Sequence, residues 1–266
     1  MKRALALAAA VAVLGMGAAP LPNLVSYRAI YEVSLEHTSG GVLAARGRMA
    51  VEFHDTCDGW STTQRLIADM TDSEGTASRT DFFVTAWESK DGRTMRFDIN
   101  NAHDGKTLSR QRGSATLAAD GSGTVQLASG KPPRFSLPKG TEFPTAQIIA
   151  VLHAAQSGGG ASLKHLVFQG GDPTDLNFST AAVGKRASAA ALASDLQADK
   201  SGLLKGQPAW SVLLSYFPLS ARNESPDYEV ATHLYANGVS GSMSLVYPDY
   251  TLRATLVRLE PLHAAC

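Results

Sequence analysis

Seven histidines, two cysteines and a set of acidic side chains are the residues of this 266-residue chain whose types suit catalysis or metal binding. Their spacing decides whether they do either. A zinc hydrolase needs two histidines one helical turn apart, as in His-Glu-x-x-His, so that both face one ion. None of His37, His54, His103, His153 or His233 has such a neighbour. A serine hydrolase of the nucleophile-elbow type presents Gly-x-Ser-x-Gly, and the nearest run, Gly238-Val239-Ser240-Gly241-Ser242, has its second glycine one position early. Asp172 and Asp175, in Gly170-Gly171-Asp172-Pro173-Thr174-Asp175, have a spacing open to a calcium loop or to an ordinary turn. Glu88, Asp91 and Asp98 surround a hairpin signal and are expected to be solvated. These patterns predict no catalytic residue, no metal site and no cofactor.

Cys57 and Cys266 are the only cysteines, and they stand too far apart for a Cys-x-x-Cys redox centre or a zinc knuckle. Their state depends on the compartment. Met1-Lys2-Arg3 is followed by an uncharged run, rich in Ala, Leu and Val, to about Ala19, which is the layout of a secretory signal peptide. The run is too short and too Ala-rich for a membrane span, which takes about 20 strongly apolar residues. The expected organisation is a signal peptide over 1–19, cleaved within a few residues of Gly17, and a single domain over 20–266 in the periplasm. After signal removal that domain is not expected to span a membrane. No cysteine stands near the cleavage point, so no lipid anchor is expected there. In an oxidising compartment an intramolecular Cys57–Cys266 bridge is favoured over free or intermolecular thiols. It would close a loop of about 210 residues, for which chain entropy sets an upper stabilisation of about 5 kcal/mol.

The elements that hold these residues read as strands. Tyr27, Ala29, Tyr31, Val33 and Leu35 alternate with Arg28, Ser34 and two glutamates, the period of a half-buried strand. Strand patterns follow over 42–53, 60–70, 77–87, 93–99, 108–117 and 123–127, separated by turns such as Ser89-Lys90-Asp91-Gly92. The rhythm breaks at Leu137-Pro138-Lys139-Gly140-Thr141-Glu142-Phe143-Pro144-Thr145. Beyond it, Ile148, Ile149, Leu152 and Ala155 mark a helix over 146–156, ended by Gly158-Gly159-Gly160. Strands resume near 163–168, 179–183, 208–217, 228–235, 239–246 and 250–259, with Asn237-Gly238 as a hairpin turn. The Ala-rich stretch 187–199 is compatible with a helix or with part of a strand. An open sheet of about 11–14 strands tends to curl. The expected fold is therefore mainly β: a curled or spiral antiparallel sheet, an incomplete barrel, wrapped around one central helix.

Several stretches together resemble the EipB-type cell-envelope integrity family of alphaproteobacteria. They are Tyr27-Arg28-Ala29-Ile30-Tyr31, Ser39-Gly40-Gly41-Val42, Ala45-Arg46-Gly47-Arg48-Met49, Trp87-Glu88 with Asp91-Gly92-Arg93 and Arg96-Phe97, and 137–145. The cysteine pair fits the same pattern. The chain departs at Gln147, where the pattern leads one to expect a histidine. The resemblance implies a periplasmic protein without assigned catalytic activity that maintains the envelope, and a fold similar to periplasmic lipoprotein carriers.

Twenty-four basic and 24 acidic residues cancel, so charge points to neither a nucleic acid nor an anionic membrane surface. Two readings remain. One is a non-enzymatic protein that binds periplasmic or envelope protein partners. The other is a carrier or sensor of a lipid or other hydrophobic ligand held in the incomplete barrel. Trp60, Trp87, Trp210, Phe82 and Phe83 would line such a cavity or simply fill the core.

Overall fold

A computed structural model describes residues 22–129, 131–219 and 225–263. The expected signal peptide over 1–19 and Cys266 lie outside them. Eight strands come first: β1 (Tyr27–Thr38), β2 (Val42–Asp55), β3 (Gly59–Asp72), β4 (Ala77–Ser89), β5 (Thr94–His103), β6 (Lys106–Leu117), β7 (Gly123–Ser129) and β8 (Arg134–Leu137). Then follow β9 (Thr141–Glu142), helix α1 (Pro144–Gln156), β10 (Ala161–Phe168), β11 (Leu176–Arg186), helix α2 (Ala193–Ala198), β12 (Ala209–Pro218), β13 (Tyr228–Tyr235), β14 (Ser240–Val246) and β15 (Tyr250–Pro261).

All fifteen strands form one sheet, ordered β8 through β1, then β15 down through β9. Two meanders thus meet at its centre, where β1 pairs with β2 on one side and β15 on the other: Tyr27 stands opposite both Phe53 and Pro261. Neighbours are antiparallel except the parallel pair β9–β10. The sequence patterns miss β8 and β9, two short strands either side of Pro138-Lys139-Gly140, where proline and glycine mask the alternation. These two are also the free edges. Being short, they limit the exposed ladder that would otherwise recruit other chains.

Side chains alternate between the two faces, and the inner face is continuous. Tyr27, Ala29, Tyr31 and Val33 of β1 pack with Met49 of β2, Met243 of β14 and Leu252, Ala254 and Leu256 of β15. Farther round, Ala181, Val183, Val212, Leu214 and Leu234 pack on Val151, Leu152 and Ala155 of α1, with Trp60 and Trp210 in the same core. The helix occupies the concave side, as the sequence predicts.

The curl is tight enough that one end of the sheet overlaps the other. Residues of β10 with odd numbers face α1, so Leu166 and Phe168 point outward. They are covered by the inner face of β5–β8: Phe168 meets Phe97 and Phe135 edge-to-face, with ring centroids 5.8 and 5.9 Å apart. Gly170, at φ +90°, leaves β10 directly beneath Phe97, and a Cβ there would stand 3.0 Å from that ring. Gln111 of β6 donates to Asp172 at 2.7 Å across the same seam.

The undecided stretch 187–199 resolves into the six-residue α2. The buried Asp195 accepts from the backbone N–H of Ser242 at 2.9 Å and from its hydroxyl at 2.6 Å. That hydroxyl accepts in turn from Leu256 N–H at 3.0 Å. Asp195 thereby ties α2 to β14 and β15, a long-range tie that no local propensity encodes.

Truncating Phe168 to Ala should lower the unfolding free energy by about 3–5 kcal/mol, the usual cost of emptying a buried phenylalanine site, measured by urea denaturation. A loss below about 1 kcal/mol would show that the overlap does not hold the curl.

Candidate functional site

Helix α1 enters the barrel at Phe143, which is fully buried and offers no side-chain cap. Pro144 takes the first helical position, where a missing N–H costs nothing. The cap comes instead from across the sheet. Glu88, on the inner face of β4, accepts the Thr145 N–H at 3.0 Å and the Thr145 hydroxyl at 2.9 Å. Glu88 is 4% exposed. Its burial pushes the carboxyl up to about 7, against the opposing pull of the two Thr145 donors.

One turn into the helix, Gln147 is 1% exposed. Its amide donates to the Ser179 hydroxyl at 2.8 Å and its carbonyl accepts from the Tyr216 hydroxyl at 3.1 Å. The row runs on across the strands: Tyr216 stacks on Tyr228 with centroids 4.7 Å apart, and the Tyr228 hydroxyl donates to Gln169 at 2.8 Å. On the other side His165, cross-strand partner of Ser179, contacts the Glu142 carboxylate through Nδ1. His165 Nε2 and Gln169 Nε2 are buried without a hydrogen-bond partner among the described residues.

Toward the Thr38 end of β1 the inner face opens. Burial falls from Tyr31 and Val33 to a half-buried Leu35 and an exposed His37. Leu66, Met70, Leu245, Tyr247 and Tyr250 stand half-buried around the same core. The concave side therefore has a packed end holding α1 and an apolar mouth.

Comparison with known proteins places this architecture. The family model described as EipB-like matches residues 18–263. The chain belongs to the EipB-like family. It is 29% identical over 247 residues to the cell envelope integrity protein EipB of Brucella abortus, covering 91% of this chain and 86% of the relative. It is also similar to the crystal structure of a β-barrel-like protein of unknown function from Brucella abortus. There the TM-score is 0.80 and the identity 27%, with 91% of this chain and all of the other covered.

Within this EipB-like fold several expectations change. Glu88, expected in solvent, is buried, because inner-face alternation along β4 points it at the helix rather than at the turn that follows. Asp98 does stay at the surface, held by Arg110 at 3.1 Å. Asp172 and Asp175 form a capping box around a short 3-10 turn, with Thr174 N–H donating to Asp172 and Asp172 N–H to Asp175. Among the described residues no group of three or more His, Cys, Asp or Glu is arranged for a metal ion. Trp60 and Trp210 fill the core, while Trp87 faces outward and donates to Thr56 at 3.1 Å. The buried face of α1 is rotated from expectation: Thr145, Gln147 and Val151 join Leu152 and Ala155 as its buried residues, with Ile148 and Ile149 at the margin. Cys57 stands on the β2–β3 turn at φ 67°, its N–H donated to Asp55 at 3.0 Å. The His165–Glu142 pair escaped sequence reading because its partners lie 23 positions apart, with Glu142 on the two-residue β9 and His165 on β10.

Unfolded, Glu88 ionises near 4.5, and folded it keeps its proton to about 7. The folded state binds the extra proton between those values. Its contribution is full below about pH 4.5, declines as pH rises through 7 and then levels. Glu88→Gln should therefore gain stability relative to the wild type on going from pH 5 to pH 8, by an amount on the order of 3 kcal/mol at most. Parallel stability curves for the two proteins would show that Glu88 does not titrate in this range. Gln147→Ala should cost about 1–3 kcal/mol by leaving Ser179 and Tyr216 unpaired, measured by urea denaturation at neutral pH.

Proposed function

We propose that this protein is a non-enzymatic periplasmic component that maintains the integrity of the cell envelope by binding envelope or periplasmic protein partners. The observation that carries the reading is the likeness, over 91% of the chain, to a protein named for cell envelope integrity. The basic start and apolar run over 1–19 support export through a cleaved signal peptide. No helix among the described residues is long and apolar enough to cross a membrane.

The bridge between Cys57 and Cys266 belongs to this reading, and the layout of the strand ends supports it. Ser26 joins the two regions: its hydroxyl accepts from Asp55 N–H at 2.9 Å, and its carbonyl accepts from Leu262 N–H at 3.0 Å. Cys57 is two residues beyond Asp55, and the four residues after Leu262 reach up to about 14 Å when extended. A bond here would clasp β15 to the β2–β3 turn across β1, where the two meanders join.

A second reading, a carrier of a lipid or other hydrophobic ligand, is favoured by the half-buried apolar mouth around Leu35, Met70, Leu245, Tyr247 and Tyr250.

Crosslinking and affinity capture from periplasm should recover defined envelope or periplasmic proteins. Recovery of none would remove the partner reading, and a lipid found by mass spectrometry of gently purified protein would replace it with the carrier reading. Cys57→Ser should lower the thermal midpoint under oxidising conditions, and an unchanged midpoint would rule out a stabilising bridge.

A further inference from the structure

The outer face of β3–β7 is not flat. It forms a groove with a cavity volume of about 710 Å³, lined by Ser61, Trp87, Arg96, Arg112, Ser114 and Gln126 among others. Pairing register sets these side chains in two rows. Ser61, Trp87, Arg96, Ser114 and Gln126 stand opposite one another strand by strand, and Arg134 of β8 continues that row. Thr85, Asp98 and Arg112 form the row beside it. Arg96 and Arg112 are therefore diagonal neighbours on β5 and β6, a relation that places Cβ atoms about 7 Å apart and lets long side chains converge.

The charges in the groove do not balance. Asp98, its one acid, is held by Arg110 at 3.1 Å. Arg96 and Arg112 have no carboxylate within 4.0 Å among the described residues, although Asp98 stands opposite Arg112 across the strands and feels its charge. Arg96 lies over the Trp87 ring instead, 5.2 Å from its centroid, which fixes the guanidinium without neutralising it. The imbalance extends through the wing: between Asp91 and Leu137 seven Lys and Arg face four Asp and no Glu, in a chain of zero formal charge. The remaining polar wall consists of hydroxyls and an amide, all able to donate. A donor-rich, cationic groove suits a ligand rich in acceptors and negative charge, and two neighbouring guanidiniums match a carboxylate through paired N–H···O bonds.

We infer that this groove docks an acidic peptide segment of a partner protein, with a carboxylate held between Arg96 and Arg112 and an apolar side chain against Trp87. A peptide fits better than a compact anion, because the row of donors extends across five strands and its backbone carbonyls would meet Ser61, Ser114 and Gln126. The inference deepens the partner-binding reading and rests on it, although the groove is tested separately.

The test titrates the full chain into a fluorescein-labelled glutamate decamer and follows anisotropy. Saturable binding that weakens as salt rises is expected. The double variant Arg96→Gln/Arg112→Gln should weaken it at least tenfold. Arg48→Gln/Arg253→Gln, which removes two charges on other strands, should change it less than twofold. All these side chains are at least partly exposed, and unchanged thermal midpoints would confirm that the variants fold. Absence of binding, equal loss in both double variants, or equal competition by inorganic phosphate or by a neutral oligosaccharide would overturn the inference. Envelope partners captured as well by the Arg96→Gln/Arg112→Gln protein as by the wild type would also overturn it, while leaving the partner-binding reading in place.

Discussion

A single fifteen-strand sheet has one long apolar face, and the whole molecule is organised by the need to cover it. Curling alone covers much of that face, but a barrel of this circumference would stay hollow without a filler. Helix α1 is the filler. It is anchored at its entry by Glu88 reaching across from β4 to the Thr145 N–H and hydroxyl. One turn later Gln147 ties it to Ser179 and Tyr216 on the opposite wall. The two polar contacts join the outgoing meander to the returning one through the helix. Both sit in nearly dry surroundings, where a paired polar group fixes position and an unpaired one is costly.

The overlap of β5–β8 on β10 follows from the same demand. Once the inner face of the first meander extends past the helix, it needs another apolar surface, and the outward side chains Leu166 and Phe168 provide it. The result is a spiral rather than a closed barrel: the two edges, β8 and β9, are joined through three residues but do not pair with each other. A spiral can tighten or loosen at its seam without breaking a ladder. That is why a seam built of aromatic edge-to-face contacts and a glycine bearing no Cβ matters to its shape. The outer face over β3–β7 carries a groove that the inner-face packing does not use.

Much of the fold is legible in the sequence where the physics is local. The alternation of Tyr27, Ala29, Tyr31 and Val33 with charged neighbours marks the inner face of β1, and the structure buries those four. Pro144 and the triple glycine mark the two ends of α1. The site was less legible. Alternation along β4 puts Glu88 on the inner face, but a glutamate there reads as solvated until the helix terminus that needs it is known to lie opposite. Asp195 likewise reads as one acid in an Ala-rich stretch until Tyr235 and Ser242, 40 and 47 positions away, are brought to it.

By itself the sequence determined the strand rhythm, the single long helix and the curl, because period-two alternation, helix-end residues and the limit on open sheet width are properties of short windows and of strand number. It also carried the family likeness. Only the tertiary structure decided which polar groups are buried and paired, where the sheet laps over itself, and that Arg96 and Arg112 stand as diagonal neighbours in an outer groove with Trp87. Each of these depends on register between strands, and register is settled by the packing of the whole inner face rather than by any segment of it.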